Sequence, residues 1–243
     1  MKKKVLTVAL VLALIAIMVS GTLAYFTAED EVTNTFTIGS VKIEIYENDV
    51  ATTEDTRSLG KLTPIVNTTT PSADVSYIEK VVDVKNIGAN AAYIRTHIAM
   101  PTQLINYLQL DVTADGWTFN GTMLGSSNAT VAGVDYTVFT YDHTAAVAAG
   151  AFTNELLQGV YLKSNVDLEE DASGNLVFIL RDSNGNKTAT SNFVAHTKNS
   201  DGSYTSATIN ILVAAQAIQT DGFTGTATAA LNSGFGANTN PWQ

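Results

Sequence analysis

A one-sided alternation in residues 25–38 constrains the fold most, because it follows directly on a strongly apolar run. From position 26, every second residue is Phe, Ala, Asp, Val, Asn, Phe and Ile, while the residues between are Tyr, Thr, Glu, Glu, Thr, Thr and Thr. A period of two predicts a β-strand rather than a helix. After Gly39 and Ser40, which we interpret as a hinge, the parity of the apolar positions reverses. The predicted apolar face of the strand consists of Phe26, Val32, Phe36 and Ile38.

The first 24 residues have the pattern of a secretory signal peptide. Three lysines precede an apolar run that ends in small residues, with Thr22 and Ala24 at the two positions that a signal peptidase reads. We therefore expect cleavage between Ala24 and Tyr25, and a product outside the cell or at its surface. An uncleaved anchor stays open as an alternative, since about 15 to 20 apolar residues approach the length of a bilayer span. In that case the protein would meet a membrane only through this segment.

Charge and cysteine content narrow the classes of partner and chemistry. Removal of the three leader lysines leaves 10 basic against 23 acidic residues, and no basic cluster stands out. An acidic chain of this kind argues against nucleic acid and anionic membranes as partners. The absence of cysteine from the sequence rules out disulfides, thiolate metal sites, cysteine nucleophiles and lipid attachment at a cysteine.

The rest of the chain carries strand signals separated by Gly/Asn/Asp turns. They predict an all-β fold, a two-sheet sandwich of jelly-roll or immunoglobulin type with one or two short helices. One helix is expected in residues 101–110, where Leu104, Ile105 and Leu108 stand at helical spacing, and another at the start of residues 225–243. Residues 206–219 predict a long strand with one buried face. The predicted organisation is a signal peptide (1–24), an N-terminal strand segment (25–40), a sandwich domain (41–232) and a flexible tail (233–243).

Motifs for catalysis, cofactors and metals are not apparent in the sequence. His97, His143 and His196 are far apart and lack the spacing of a zinc helix, so we interpret them as ordinary strand or loop residues. Asp182, Asn184 and Asn186 begin like a calcium loop, but a glycine and a glutamate that the loop requires are missing, so a hairpin turn is predicted instead. The sequence predicts a protein without enzymatic activity, without a cofactor and without a metal site.

Three segments resemble the TasA/camelysin family of exported proteins that a SipW-type signal peptidase processes. They are "GTLAYFTAEDEVTNTFTIGSVKIEI" (residues 21–45), "VVDVKNIGANAAYIRTHI" and "INILVAAQAIQTDGF", in the order that the family shows. The resemblance implies a jelly-roll sandwich, secretion, and extracellular fibres of a biofilm matrix in which an N-terminal strand completes the sheet of the next subunit. Some members are labelled metallopeptidases, a label that the scattered histidines do not support.

These observations lead to three functional hypotheses. The first is a secreted structural protein, a homopolymeric subunit of fibres, matrix or cell-surface layer, which assembles by donation of the N-terminal strand and contacts other matrix or surface proteins. The second is a soluble sandwich adhesin that binds through loops such as residues 114–128. The third, a metallopeptidase, rests on family labels alone. Whether residues 25–38 pair with a neighbour or fold back onto their own sheet stays open at this point.

The position of the cleavage site can be tested directly. Ala24→Phe should leave the precursor in the membrane, because a large ring cannot enter a peptidase pocket shaped for a methyl group. Cell fractionation and the intact mass of the secreted protein measure this. Normal release of Ala24→Phe, or a mature N-terminus other than Tyr25, would show that the cleavage site lies elsewhere.

Overall fold

The structure is a computed structural model that describes residues 27–30, 41–51, 62–123, 130–131, 133–237 and 240–242. The predicted signal peptide and cleavage residues Thr22, Ala24 and Tyr25 lie outside the described residues, as do Phe26, Val32, Phe36, Ile38, Gly39 and Ser40. Within the described residues, no helix is long and apolar enough to cross a membrane.

The described residues form antiparallel strands and a single α-helix, which confirms the predicted all-β class. In chain order the elements are β1 (Thr27–Asp30), β2 (Ile43–Glu47), β3 (Val50–Ala51), β4 (Ile78–Asn86), β5 (Ala92–Pro101), β6 (Leu108–Val112), β7 (Trp117–Met123), β8 (Thr130–Val131), β9 (Val134–His143), β10 (Leu157–Leu162), β11 (Val166–Glu170), β12 (Leu176–Arg181), β13 (Lys187–Lys198), β14 (Tyr204–Ser206), β15 (Leu212–Gln219) and α1 (Ala227–Phe235).

Two sheets pack face to face as a sandwich. The first has the order β1-β15-β5-β9-β7, with β8 paired to β9, and the second has the order β3-β2-β4-β10-β6. Buried side chains from both sheets form one continuous core, with Ile94 and Ile98 from the first sheet and Val82, Val84 and Leu157 from the second. Burial of each such side chain stabilises the fold by about 1.5–3 kcal/mol. The strict alternation of buried and exposed residues in β4 is the pattern of a sheet with one dry face.

Strands β11 to β14 form a separate meander whose hairpins share one kind of turn. Gly174, Gly185 and Gly202 each adopt a positive φ near 80°, a conformation that favours glycine. In the second turn the Asp182 carboxylate accepts hydrogen bonds from the backbone N–H groups of Asn184 and Asn186, and these bonds lower the pKa of Asp182. The predicted hairpin is therefore present at this position, and the carboxylate is occupied by its own backbone.

The prediction of a helix in residues 101–110 is wrong. Only a 3₁₀ turn forms at Thr102–Leu104, and β6 begins at Leu108. Leu104 and Leu108 are both fully buried, so their helical spacing reflects two contacts with the core rather than one helical face. Pairing of β6 with β10 supplies backbone hydrogen bonds that a helix would otherwise provide.

The long strand predicted over residues 206–219 is also shorter than expected. β15 begins at Leu212, and from Val213 onward both of its faces are buried instead of one. The second face is dry because α1 lies against it, with Leu231 packed on Ile218. The helix continues through Phe235 and Trp242 is partly buried, so part of the segment predicted as a flexible tail is packed on the sheet.

A buried hydroxyl group in the core gives a stability test. Thr96 lies between Ile94 and Ile98 on the core side of β5, and its Oγ1 has no hydrogen-bond partner among the described residues. Thr96→Val should therefore raise the free energy of unfolding by about 1 kcal/mol, because an unpaired buried hydroxyl is costly.

Thr137→Val is the matched control for this substitution. Thr137 is equally buried, but its Oγ1 lies 3.1 Å from Thr102 Oγ1, so the loss of that hydrogen bond should lower stability by a similar amount. Urea denaturation of both variants measures the difference. Equal destabilisation by the two substitutions would contradict an unpaired Thr96 hydroxyl.

Candidate functional site

The N-terminal segment lies at one edge of the first sheet. β1 pairs with β15 in antiparallel fashion, with Thr27 opposite Ile218 and Asp30 opposite Ala215. On its other side β15 pairs with β5 along its whole length, from Leu212 to Gln219. In this structure residues 27–30 thus occupy the edge of their own sheet. The sequence had left open whether this segment pairs with its own sheet or with that of a neighbour.

The register of β1 sets which of its positions stand opposite core residues of β15. Positions 28 and 30 stand opposite Ala217 and Ala215, two residues of the main core. Positions 27 and 29 stand opposite Ile218, which packs against α1, and Gln216, which contacts His97 on the same outer face. Positions 28 and 30 of β1 therefore correspond to the core side of the sheet.

The stretch that leads into β15 is not part of a strand. Residues 207–211 have no strand assignment, although Ile209 and Ile211 are partly buried against the core. Ala207, Thr208 and Asn210 are exposed. The alternation of apolar and polar side chains thus continues beyond the observed strand into residues 207–211.

A polar cluster that sequence reasoning missed lies under α1, on the outer face of the first sheet. Arg95 Nε and Nη2 donate to the two carboxylate oxygens of Asp142 at 2.7 and 3.1 Å, and both side chains are almost fully buried. Arg95 also donates to Asn232 Oδ1 at 2.6 Å and to the carbonyl oxygen of Gly236 at 2.7 Å. The cluster therefore ties β5 and β9 to the C-terminal end of α1. The signal available in the sequence was an arginine and a histidine, two positions apart, in an otherwise apolar strand.

The three histidines lie in three different networks. His97 is fully buried between Thr140 Oγ1 and Gln216 Oε1, both at 3.1 Å, and burial lowers its pKa to about 4. The ring is therefore neutral at physiological pH.

The other two histidines contact residues elsewhere in the fold. His143 contacts the Ala145 carbonyl oxygen and Asn154, and His196 contacts Ser206 in the meander. Among the described residues, no group of three or more His, Asp or Glu side chains could hold a metal ion.

The outer face of the second sheet carries a half-buried carboxylate with acidic neighbours. Burial raises the pKa of Asp83 from 3.8 to about 6, and the negative charges of Asp49 and Glu155 add to the effect. Across the strand pair, Asp83 stands opposite Tyr46. The ammonium group of Lys85 lies 4.9 Å from the centre of the Phe152 ring. This cation–π contact holds the positive charge of Lys85 at the aromatic ring.

No protein-family model, curated protein or solved structure matches this chain. The candidate site is thus defined by the chain's own residues: the β15 edge, the N-terminal strand that pairs with it, and the polar cluster that holds the sheet behind it.

The acidic group predicts a pH dependence of stability. A carboxyl group whose pKa is higher in the folded than in the unfolded chain destabilises the fold as the pH rises, here between about 4 and about 6. Asp83→Asn should therefore raise the free energy of unfolding by about 1 kcal/mol at pH 7.5 and change it little at pH 4. The gain at pH 7.5 is smaller than the full pKa shift would give, because the carboxyl group is partly solvated.

Asp167→Asn is the opposite case and serves as the control. The pKa of Asp167 is lowered by hydrogen bonds from the Leu168 backbone N–H and from Arg181, so its ionised form is favoured in the fold. Its substitution should give no gain in stability at pH 7.5. Thermal unfolding across the pH range checks both variants, and a gain for Asp83→Asn that is as large at pH 4 as at pH 7.5 would contradict the electrostatic explanation.

Proposed function

We propose that the chain is a secreted structural protein, a subunit of extracellular fibres or surface matrix, in which the N-terminal strand of one copy pairs with the β15 edge of the next. The pairing of Thr27–Asp30 with β15 supports the proposal most directly, because it identifies this edge as one that accepts the N-terminal segment. The signal-peptide pattern and the resemblance of residues 21–45 to fibre-forming exported proteins support it further. Processing after Ala24 would free the strand.

The same backbone hydrogen bonds form whether the strand comes from the same copy or from a neighbour. Exchange of an identical element between protomers is a low-cost route to assembly, because no new complementary surface is needed. The outcome depends on the connection between β1 and β2, residues 31–42, and on subunit concentration. We place the hinge of this exchange at Gly39 and Ser40, where the parity of the apolar pattern changes.

A donated strand can make more contacts than β1 makes in the structure. If it continued the register of β1, Val32 would stand opposite Val213 and Phe36 opposite Ile209, both on the core side. Val213 is buried in β15, and Ile209, which precedes the strand, is partly buried against the core, so both are apolar residues at the required parity. Burial of the four large side chains of the donated face would contribute several kcal/mol, at about 1.5–3 kcal/mol each.

A soluble binding module is the second candidate, favoured by a loop that exposes two valines. Val66 and Val75 are 89% and 101% exposed, respectively. The loop between them is fixed by Asp74, whose carboxylate accepts hydrogen bonds from the backbone N–H groups of Val66, Asn67 and Ser76. A preordered loop with exposed apolar side chains is suited to contact with a target, since little conformational entropy is lost on binding.

Electron microscopy of the purified mature protein separates the two candidates. The proposed function predicts regular filaments, and Val32→Asp or Phe36→Asp should abolish them, because a charge in the dry interface costs several kcal/mol. Thr33→Asp and Thr35→Asp are the matched controls: they stand on the other face of the strand, so filaments should persist.

Monomer stability must be measured beside filament formation. Strand donation predicts that Phe36→Asp removes filaments while the melting temperature of the monomer changes by only a few degrees. A mature protein that stays monomeric at every concentration and pH would refute the proposed assembly, and so would equal sensitivity of the Val32/Phe36 and Thr33/Thr35 positions.

A further inference from the structure

Trp242 packs against an apolar patch on the outer face of the first sheet. Ala99, Tyr136 and Val138 form its buried floor, and partly buried Val131 and Leu212 pack against that floor. Ala99 stands opposite Leu212 on β15 and opposite Val138 on β9, so the groove crosses three adjacent strands. These five residues are called the tail groove below.

Trp242 covers the tail groove. It is the one member of this apolar cluster, among the described residues, that does not belong to a strand. Its ring meets the imidazole of His97 edge to face, with the ring centres 6.5 Å apart. The apolar cluster under α1 is separate and contains Ile218 and Leu231, so the helix does not cover this part of the sheet.

The segment that carries Trp242 is a short, mostly polar stretch after α1. Gly236 is held by Arg95 at the end of α1. Beyond it the sequence "ANTNPWQ" contains one large apolar side chain, and the backbone N–H of Trp242 donates to Asn240 Oδ1 at 3.0 Å. This local turn presents a single indole ring, a side chain that offers a large contact area at low cost in conformational entropy.

We propose that the tail groove is a binding site for the C-terminal Asn-Pro-Trp segment of a second copy of the chain, which replaces the protein's own Trp242. Each copy carries both the groove and the motif, so exchange creates a link between copies without any new surface. A tethered tail competes at an effective concentration in the millimolar range. The exchanged form therefore becomes significant where copies are densely packed. This link does not depend on the N-terminal strand.

A peptide of residues 236–243, labelled with fluorescein, tests the groove by fluorescence anisotropy. It should bind full-length Trp242→Ala, whose groove lacks its own indole, at least tenfold more tightly than it binds the wild-type chain. Trp242→Phe should give an intermediate affinity. The same peptide with alanine in place of tryptophan should bind Trp242→Ala at least tenfold more weakly than the native peptide.

Exchange between whole chains is tested by analytical ultracentrifugation in the Phe36→Asp background, which removes strand donation from the measurement. A mixture of chains with Trp242 and chains with Trp242→Ala should form dimers as the concentration rises, while Trp242→Ala chains alone should not.

Equal peptide affinity for the wild-type, Trp242→Phe and Trp242→Ala chains would overturn the proposal. Equal binding of the alanine peptide, or monomers only in the mixture at every concentration, would overturn it as well. If Trp242→Ala does not fold, as judged by circular dichroism, the comparison of Trp242→Phe with wild type decides. None of these results bears on filament formation through the N-terminal strand.

Discussion

The buried pair of Arg95 and Asp142 is the interaction on which the first sheet depends. Two charges removed from water are costly unless their hydrogen-bonding capacity is met, and here Arg95 is satisfied by Asp142, Asn232 and the Gly236 carbonyl together. Loss of one partner would leave an uncompensated buried charge, at a cost of about 3–5 kcal/mol. The pair therefore fixes the β5–β9 register and, through Gly236, the end of the helix that covers the sheet.

A strand that is covered on both faces can offer a partner strand only its free edge. From Val213 onward β15 is buried on both faces, by the core on one side and by α1 on the other. The remaining capacity for specific pairing is in the backbone along the edge opposite β5, where β1 lies. Unprotected edges invite other strands. The polar cluster holds α1 over the outer face of the sheet. The proposed strand exchange would use the β15 edge, which α1 does not cover.

The class of the fold could be predicted from alternation, but the environment of individual residues could not. β4 alternates in sequence and in burial, because one of its faces is open. β5 is buried on both faces, so Arg95 and His97 stand where the pattern predicts solvent. The position of α1 explains Arg95, and Trp242, Thr140 and Gln216 surround His97; all of these lie far away in sequence. The error at residues 101–110 has the same origin, since Leu104 and Leu108 meet the core from a turn and a strand. Nothing in the local sequence indicates β10 as the partner that decides between strand and helix.

In the proposed assembly, the net charge of the chain would affect the conditions under which copies associate, but not the place where they make contact. A chain with 13 basic and 23 acidic residues repels its own copies. At physiological salt this repulsion is screened beyond about 8 Å, and it is non-directional. Backbone pairing at the β15 edge acts at contact distance, is dry on its core side and depends on register, so screening hardly alters it. Protonation of groups such as Asp83 near pH 6 lowers the net repulsion without touching the strand ladder. In the proposed assembly, ionic strength and pH would therefore change the rate and threshold of association, whereas the parity of the N-terminal strand would determine which of its faces meets the core.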